Sequence, residues 1–470
     1  MTLSCVVLAA GLGTRMNSEL PKVLHGVCGI PLLQAVLNTA HELNPQQVIV
    51  VVGDQGDLVK KSVSCKGTVF VLQRKPRGTG HALQCARQAM KDRDVIVVLN
   101  GDSPLLTSAT IRRFLGLHRK DKNAISVLSF RADNPDAYGR IVRDSSGRLL
   151  SIVEEKDAGS AQKEINEVNS GVYAINQNAL GILDAIKMNR SKGEYYLTDI
   201  IAAASEGGIK TAAYCIGTES EFMGVNTRGE LTRASDLMKR RIIDKWIERG
   251  VVFLDPGSVF VHPDASIGKE VIIYPNVYLE GGTTIGKNSV IYPNVRIQNS
   301  DIGKGVVIKD CTVIEDSLIK DGASIGPFAR IRPGSEVGKE ARIGNFVELK
   351  KAIIGKGSKA SHLSYIGDAS VGKDVNIGAG TITCNYDGAR KHRTEIQDDV
   401  FVGSGSQLVA PVRIGKGAYI GAGSTITRDV PARSLALSRV TQSNKEGWTQ
   451  KRQEKVKRQT SKVKGGKKKR

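Results

Sequence analysis

The chain has 470 residues, 40% of them hydrophobic, with a mean hydropathy of −0.18. That is enough for two or three domains with cores of their own, and it excludes a disordered chain. No apolar run is long enough to cross a bilayer, and the apolar opening Met1–Gly11 lacks a basic leader, so neither a membrane span nor a signal peptide is expected. The net charge is +21, but twelve Lys/Arg between Lys445 and Arg470 stand against only Glu446 and Glu454. Nearly half the excess therefore lies in one terminal tail. It is expected to be disordered and solvated, with phosphate-rich ligands or loose adhesion to nucleic acid as the functional alternatives and no specific nucleic-acid role. The seven cysteines (Cys5, Cys28, Cys65, Cys85, Cys215, Cys311, Cys384) are scattered without CxxC pairs. They give no zinc motif and fit a reducing, cytoplasmic setting.

Residues 1–225 alternate short apolar strands with helical stretches. Strands are predicted at Val6–Ala9, Gln47–Val52, Thr68–Leu72 and Asp94–Leu99, and helices near Leu32–Glu42 and Gly80–Met90. This βαβ order predicts a mostly parallel, Rossmann-like α/β sheet with helices on both faces. Ligands on such sheets gather at the carboxyl ends of the strands. Two groups fall there: the loop Gly11-Leu12-Gly13-Thr14-Arg15-Met16, and Gly101-Asp102 after the fourth strand. The loop is neither a dinucleotide fingerprint nor a Walker loop, since Met16 stands at the third glycine position and no Gly-Lys-Ser/Thr follows. Its glycines let backbone N–H groups approach a phosphate, and Arg15 and Lys22 add positive charge. Gly229–Gly250 reads as an amphipathic helix carrying Leu231, Ala234, Met238, Ile242, Trp246 and Ile247 on one side. It joins the two halves.

From Val261 to Ile426 aliphatic residues recur every six positions: Val261, Ile267, Ile273, Leu279, Ile285, Ile291 and Ile297. The frame slips by one and resumes at Ile302, again at Ile319, and runs on through Ile343, Leu349, Ile354, Ala360, Ile366 and Ile377 to Ile426. A small or slim residue stands four places after most frame residues, as at Ala265, Val277, Ser289, Ala341 and Ser364. A helix cannot keep a period of six on one face, whereas short strands with a bend after each can. The prediction is a parallel β-helix of hexapeptides, with the slips absorbed at corners. The proposed division is 1–225, a joining helix 226–250, a β-helix 251–440 and a tail 441–470.

Leu8-Ala9-Ala10-Gly11-x-Gly13-Thr14-Arg15-Met16 with Pro21-Lys22 resembles the sugar-phosphate nucleotidyltransferases. Gln73, Gly78-Thr79-Gly80-His81-Ala82, Gly101-Asp102, Tyr138-Gly139-Arg140, Glu154 with Lys156, Asn169-Ser170-Gly171 and Gly224-Val225-Asn226 extend the match. In the second half, Arg330-Ile331-Arg332-Pro333-Gly334, Asn345 to Lys351, Lys359 to Asp368, Asn376 to Gly380 and Cys384 to Gly388 are similar to a hexapeptide-repeat acetyltransferase. Together they resemble the bifunctional bacterial enzymes of UDP-N-acetylglucosamine synthesis, which feed cell-wall and lipopolysaccharide assembly, over residues 1 to about 450. The β-helix is then left-handed.

Uridylyl transfer joins two anions, so its site must neutralise charge and align the attack. Mg²⁺ is the expected neutraliser, with Asp102 as one ligand and, by the resemblance, Asn226 as the other. Arg15 is expected at the leaving pyrophosphate and Lys22 at the α-phosphate or the attacking phosphate. The resemblance gives the nucleotide to Leu8, Ala9, Ala10, Gly11, Gln73, Gly78 and Thr79, and the acetylated sugar to Gly139, Glu154 and Asn169. His81 reads as structural.

Acetyl transfer from acetyl-CoA, a co-substrate, to an amine needs a base near neutral pH. Of the seven histidines only His362 lies in a dense polar cluster on the frame. Glu348 is expected to orient its imidazole. Arg332 and Lys350 are expected to hold the sugar phosphate, and Tyr365 and Asn376 the ring. Asn385 and Tyr386 fall in the one long break of the frame. Since the resembled family is trimeric with its acetyl site between chains, a homotrimer is expected. Ala379, Ser404, Ala422 and Arg439 carry over as acetyl-CoA contacts, as do Asn385 and Tyr386. Three positions depart from the family pattern: Leu12 in place of a common Lys, Asn100 in place of an aromatic, and Ser361 in place of Gly. One rival reading is a single-function pyrophosphorylase with a structural β-helix; another is a non-catalytic scaffold.

Overall fold

The computed structural model describes every residue except 1, 12, 65, 91–92, 190–192 and 467–470, and side chains as far as residue 461. Leu12 and Cys65 therefore lie outside the described residues. Two compact units result, Met1–Asn299 and Ser300–Arg470.

The first unit is built on a mixed sheet in the order Thr211–Cys215, Ile125–Arg131, Glu167–Asn176, Val95–Asn100, Leu3–Ala9, Gln47–Val52, Thr68–Leu72. All neighbours run parallel except Glu167–Asn176, which is antiparallel to the strands on both its sides. Period-two alternation explains the layers. Leu3, Cys5, Val7 and Ala9 enter one core while Val6 enters the other, and Val95, Val97 and Leu99 oppose Ile96 and Val98 in the same way. Helices Leu32–Glu42 and Gly78–Ala86 follow their strands as expected. Strand order reverses between Leu3–Ala9 and Val95–Asn100, and the crevice beyond that switch point is where the loop and Gly101-Asp102 emerge.

The joining helix spans Arg228–Glu248. Ala234 and Met238 are buried with Met16, Val27, Leu32, Leu105 and Val225, so the helix is part of the first unit's core rather than a free linker. The compact division accordingly falls after Asn299, not at residue 250. Of its predicted apolar side, Trp246 is buried but Ile247 is exposed, and Ile243 is buried in its place.

In the first unit from Val252, and again in the second from Asp301, two- to four-residue strands pair in parallel on three ladders, consistent with the left-handed β-helix expected. The frame residues, from Val261 to Ile426, are buried, and so are their small partners. The slips have a definite structural form. At full corners the left-handed residue comes three places after the frame residue, as at Asn276, Asn294, Glu340, Phe346 and Leu363. At the shortened corners it comes two places after, at Asn299, Asp316, Lys351 and Asp368, each with φ between 42° and 48°. A single omitted residue is thus absorbed by one early left-handed turn, a conformation that Asn and Asp tolerate best. The excursion Asn385–Arg393 leaves the prism between strands Ile382–Cys384 and Thr394–Ile396.

The tail differs from expectation. Trp448–Gly466 is an α-helix, with every described side chain exposed. Solvation was legible there and order was not. Lys, Arg, Gln and Glu are good helix formers, and no Gly or Pro interrupts residues 448–464.

Candidate active sites

In the first unit, the turn Thr14–Met16 follows Gly13, whose φ of 63° is left-handed and whose missing side chain leaves room for Lys22. A Cβ on Gly13 would come within 2.5 Å of the Lys22 Cβ. The Lys22 ammonium donates to Asp102 Oδ2 and, at 3.0 Å, to Asn226 Oδ1. Both oxygens were expected to hold a metal, and here they converge on one cation. Asp102 is fixed by the turn after its strand, and its carbonyl accepts from Val225 N at 2.9 Å. Asn226 is set by the start of the joining helix. There Thr227 and Glu230 form a reciprocal cap, and Glu230 Oε2 also accepts from Asn226 N at 2.6 Å. Arg228 from the same helix donates to Met16 O at 3.2 Å, so the helix start also steadies the phosphate loop.

Asp102 and Asn226 line a cleft of about 240 Å³ together with Leu8, Thr79, Gly139, Glu154 and Asn169 among others. Glu154 Oε1 accepts from Thr198 Oγ1 at 3.0 Å. Asn169 donates to the Tyr173 hydroxyl at 2.9 Å. Gln73 is buried, and its amide donates to Gly78 O at 3.1 Å and meets His81 Nδ1 at 3.0 Å. Burial, then Arg77, pushes His81 below the usual histidine range. Ala9, Ala10 and Gly11 continue from the first strand, and Arg15 is exposed on the turn beyond. Asn100, the departure before Gly-Asp, lies with Nδ2 2.1 Å from where a Cβ on Gly171 would stand. A side chain at 171 is excluded by that amide and by a φ of 78°. Thr198 was missed from sequence, since nothing in a lone Thr after an apolar residue marks it as cleft lining.

In the second unit, His362 is exposed, and its Nδ1 donates to Asn345 Oδ1 at 2.7 Å. In the neutral imidazole this contact leaves Nε2 as the lone-pair nitrogen. Glu348, expected to orient this imidazole, instead accepts from Arg332 at 2.9 Å. The reason is register: Asn345 pairs with His362 in the next coil, while Glu348 lies on the second ladder beside Arg330 and Tyr365. Asn345 could have been found by stepping back one coil from His362 in the frame. Ser361 lies in the strand Lys359–His362 and is not among the left-handed residues, so glycine's freedom is not needed there.

Asn345, His362, Ala379, Ser404 and Ala422 each stand two places after the frame residues Ile343, Ala360, Ile377, Val402 and Ile420, which pair coil by coil. They form one column up a corner of the prism, at ~4.8 Å per coil. Arg439 closes it by donating to Ala422 O at 2.9 Å. Four of the six carried-over cofactor residues, Ala379, Ser404, Ala422 and Arg439, thus share a line with the candidate base, while Asn385 and Tyr386 lie off it on the excursion.

Lys350 and Tyr365 stand on the second ladder, Arg332 directly follows its strand Arg330–Ile331, and Tyr365 lies over Gly367, where a Cβ would meet its hydroxyl at 2.4 Å. Asn376 stands on the first ladder, away from them. Lys391 in the excursion faces Lys350, and the contact with that second ammonium lowers its pKa. Two facing ammonium groups suit an anion. Lys391 lies outside the Cys384–Gly388 motif, and nothing in the frame marks a lone Lys in an excursion as facing Lys350. Asn385 donates to Asp368 Oδ2, and Tyr386 is exposed, its hydroxyl donating to Gly388 O at 2.6 Å. Asp387 organises the excursion: backbone N–H from Arg390, then His392 and Ala389, hold its carboxyl well below the usual range.

The role given to Asn345 has a direct check. Asn345→Leu should lower the acetyl-transfer kcat about tenfold, the scale of a hydrogen bond of 1–1.5 kcal/mol. Asn345→Asp, whose carboxylate favours the imidazolium, should move the acidic limb of the pH–rate profile to higher pH. An unchanged profile in both variants removes Asn345 from the mechanism.

Three family models match: a MobA-like NTP transferase domain over residues 5–167, a GMPPB C-terminal domain over 256–335, and six bacterial transferase hexapeptides over 393–428. Among solved structures, UDP-glucose pyrophosphorylase complexed with UDP-glucose aligns with 51% of this chain and 100% of its own, at 17% identity and a TM-score of 0.44. The chain is 48% identical over 450 residues to the bifunctional protein GlmU of Thermodesulfovibrio yellowstonii, covering 96% of this chain and 99% of that one. It is 45% identical to GlmU of Clostridioides difficile, over 97% and 99% of the two chains. For Shouchella clausii GlmU the identity is 46%, over 95% and 98%. With both the strand-end cation seat and the hexapeptide column inside matches of that length, the chain belongs to the bifunctional GlmU family.

Proposed function

We propose that the chain acts at two sites in sequence. The acetyl group of acetyl-CoA passes to glucosamine 1-phosphate in the second unit, and N-acetylglucosamine 1-phosphate then attacks UTP in the first, releasing pyrophosphate. The chain is an enzyme with both activities, N-acetyltransferase and uridylyltransferase, and the reading of its β-helix as purely structural is not favoured.

In acetyl transfer, His362 Nε2 takes a proton as the sugar amine forms its bond to the thioester carbon. The carbon–sulfur bond then breaks, and the imidazolium returns the proton to the leaving thiolate. Arg332, Lys350 and Lys391 hold the phosphate, and Tyr365 and Asn376 the ring. The column Ala379, Ser404 and Ala422, with Arg439, takes the cofactor's arm. Because Asn376 and the phosphate-binding residues stand on different ladders, and the excursion Asn385–Arg393 leaves the prism, we place this site between chains of a homotrimer.

In uridylyl transfer, a phosphate oxygen of the sugar attacks the α-phosphorus of UTP and the bond to pyrophosphate breaks. Asp102 and Asn226 would hold Mg²⁺. Two protein oxygens already turned on a single cation suit an ion that takes its other ligands from water and phosphates. When bound, the ion neutralises phosphate charge. Lys22 adds charge at the α-phosphate and Arg15 at the pyrophosphate. Gly139, Glu154 and Asn169 receive the sugar, and Leu8, Ala9, Ala10, Gly11, Gln73, Gly78 and Thr79 the nucleotide. No helix among the described residues is long and apolar enough to cross a membrane. We place the enzyme in the cytoplasm, where UTP and acetyl-CoA are available.

The observation that carries this reading is the column that joins an oriented imidazole to the cofactor positions. Offered glucosamine 1-phosphate, acetyl-CoA, UTP and Mg²⁺, the protein should yield free CoA, pyrophosphate and UDP-N-acetylglucosamine. Turnover of N-acetylglucosamine 1-phosphate with no CoA release from glucosamine 1-phosphate would reduce it to the single-function rival.

A further inference from the structure

Neither reaction as derived above uses the tail helix Trp448–Gly466. The hexapeptide match stops at residue 428, and the match to the Thermodesulfovibrio protein uses 99% of that chain while leaving part of this one over. From Trp448 to Ser461 every side chain is exposed, so no described residue of the same chain covers this stretch of the helix. Lys451, Lys455 and Arg458 recur at helical spacing and fall on one face. A rise of ~1.5 Å per residue spreads their charges over ~10 Å. Arg452 lies over the Trp448 ring at 5.1 Å, which brings a half-exposed aromatic to the edge of the same stripe. Lys457 adds charge on another side, and Glu454 is the single acidic group in the helix.

That distribution selects among polyanions. A helix that lies in a bilayer surface needs a continuous apolar face to bury among the acyl chains. Between Trp448 and Ser461 this helix offers only Trp448 and Val456, and it is polar all round. Charge on several sides without an apolar face fits a phosphate backbone, where each Lys or Arg displaces a condensed counterion and an exposed aromatic ring adds stacking. We infer that the tail helix binds nucleic acid through its phosphates, without sequence preference, and tethers the enzyme to it.

The test is fluorescence anisotropy with a labelled DNA duplex of about 20 base pairs, titrated with the full-length protein between about 50 and 200 mM salt. The unmodified protein should bind in the ~10⁻⁶–10⁻⁴ M range typical of non-specific association, more weakly as salt rises. The triple variant Lys451→Gln, Lys455→Gln, Arg458→Gln should bind at least tenfold more weakly at low salt. Its slope of log affinity against log salt should be shallower by roughly 2.7, the loss of three phosphate contacts. Uridylyl transfer, carried by the other unit, is measured on the same samples as the control for folding. Equal affinity and slope in the variant overturn the inference. Binding to phosphatidylserine vesicles without binding to the duplex overturns it in favour of a membrane. Release of the duplex by acetyl-CoA at matched phosphate concentration assigns the helix to the cofactor instead.

Discussion

His362→Ala should abolish acetyl transfer and leave uridylyl transfer at its full rate. The amine of glucosamine 1-phosphate is partly protonated near neutral pH, and removing its proton during attack is worth ~10²–10⁴ in rate for a positioned base. In this chain the proposed base, His362, is held by a hydrogen bond from Nδ1 to Asn345. The side chain is exposed and the backbone around it lies in regular parallel ladders, so alanine leaves the prism intact. CoA release with glucosamine 1-phosphate should fall by at least two orders of magnitude, about 3 kcal/mol in barrier. Pyrophosphate release with N-acetylglucosamine 1-phosphate should not change. A variant that keeps acetyl transfer at the full rate would remove His362 from the chemistry. One that loses both reactions while still folded would end the picture of independent sites.

Asp102→Ala should do the reverse. The carboxylate is one of two oxygens gathered on the Lys22 ammonium, and its loss leaves Asn226 alone to hold a cation. A metal's stabilisation of phosphoryl charge is worth several kcal/mol, so pyrophosphate release should drop by roughly 10²-fold or more. CoA release should be untouched. A second readout separates the metal from substrate binding: Mn²⁺ bound in the presence of UDP-N-acetylglucosamine, followed by its paramagnetic signal, should weaken in the variant. Retention of Mn²⁺ with loss of activity would assign Asp102 another task.

How much of this was legible in the sequence depends on how local the cause is. The hexapeptide frame could be read because each inward position needs an aliphatic or small side chain, and every frame residue is buried as that requires. The corners could not be read in detail. A left-handed residue two places after its frame residue, as at Asn299, or three places after, as at Asn294, is a backbone conformation that the aliphatic frame does not itself specify. Asp102 and Gly13 were legible because strand-end positions need those residue types locally. The pairing of Lys22 with Asp102 and Asn226 was not, since it closes over 80 and 204 residues of chain. Glu348 was expected to orient His362, whereas the ladders gave Glu348 to Arg332 and His362 to Asn345. The tail's charge was plain from composition, but its helical order rests on propensity summed over many residues.

The column from Asn345 to Arg439 behaves as a ruler. Its rungs are whole coils, so the distance from imidazole to any cofactor position is fixed in steps and cannot be tuned continuously. Removing one complete coil between His362 and Ala422 would keep every ladder paired, yet would draw the thioester end of the carrier one rung out of place. Evolution is free to lengthen such a prism at its ends, but on the function proposed above its length between these two residues is set by the reach of the acyl carrier.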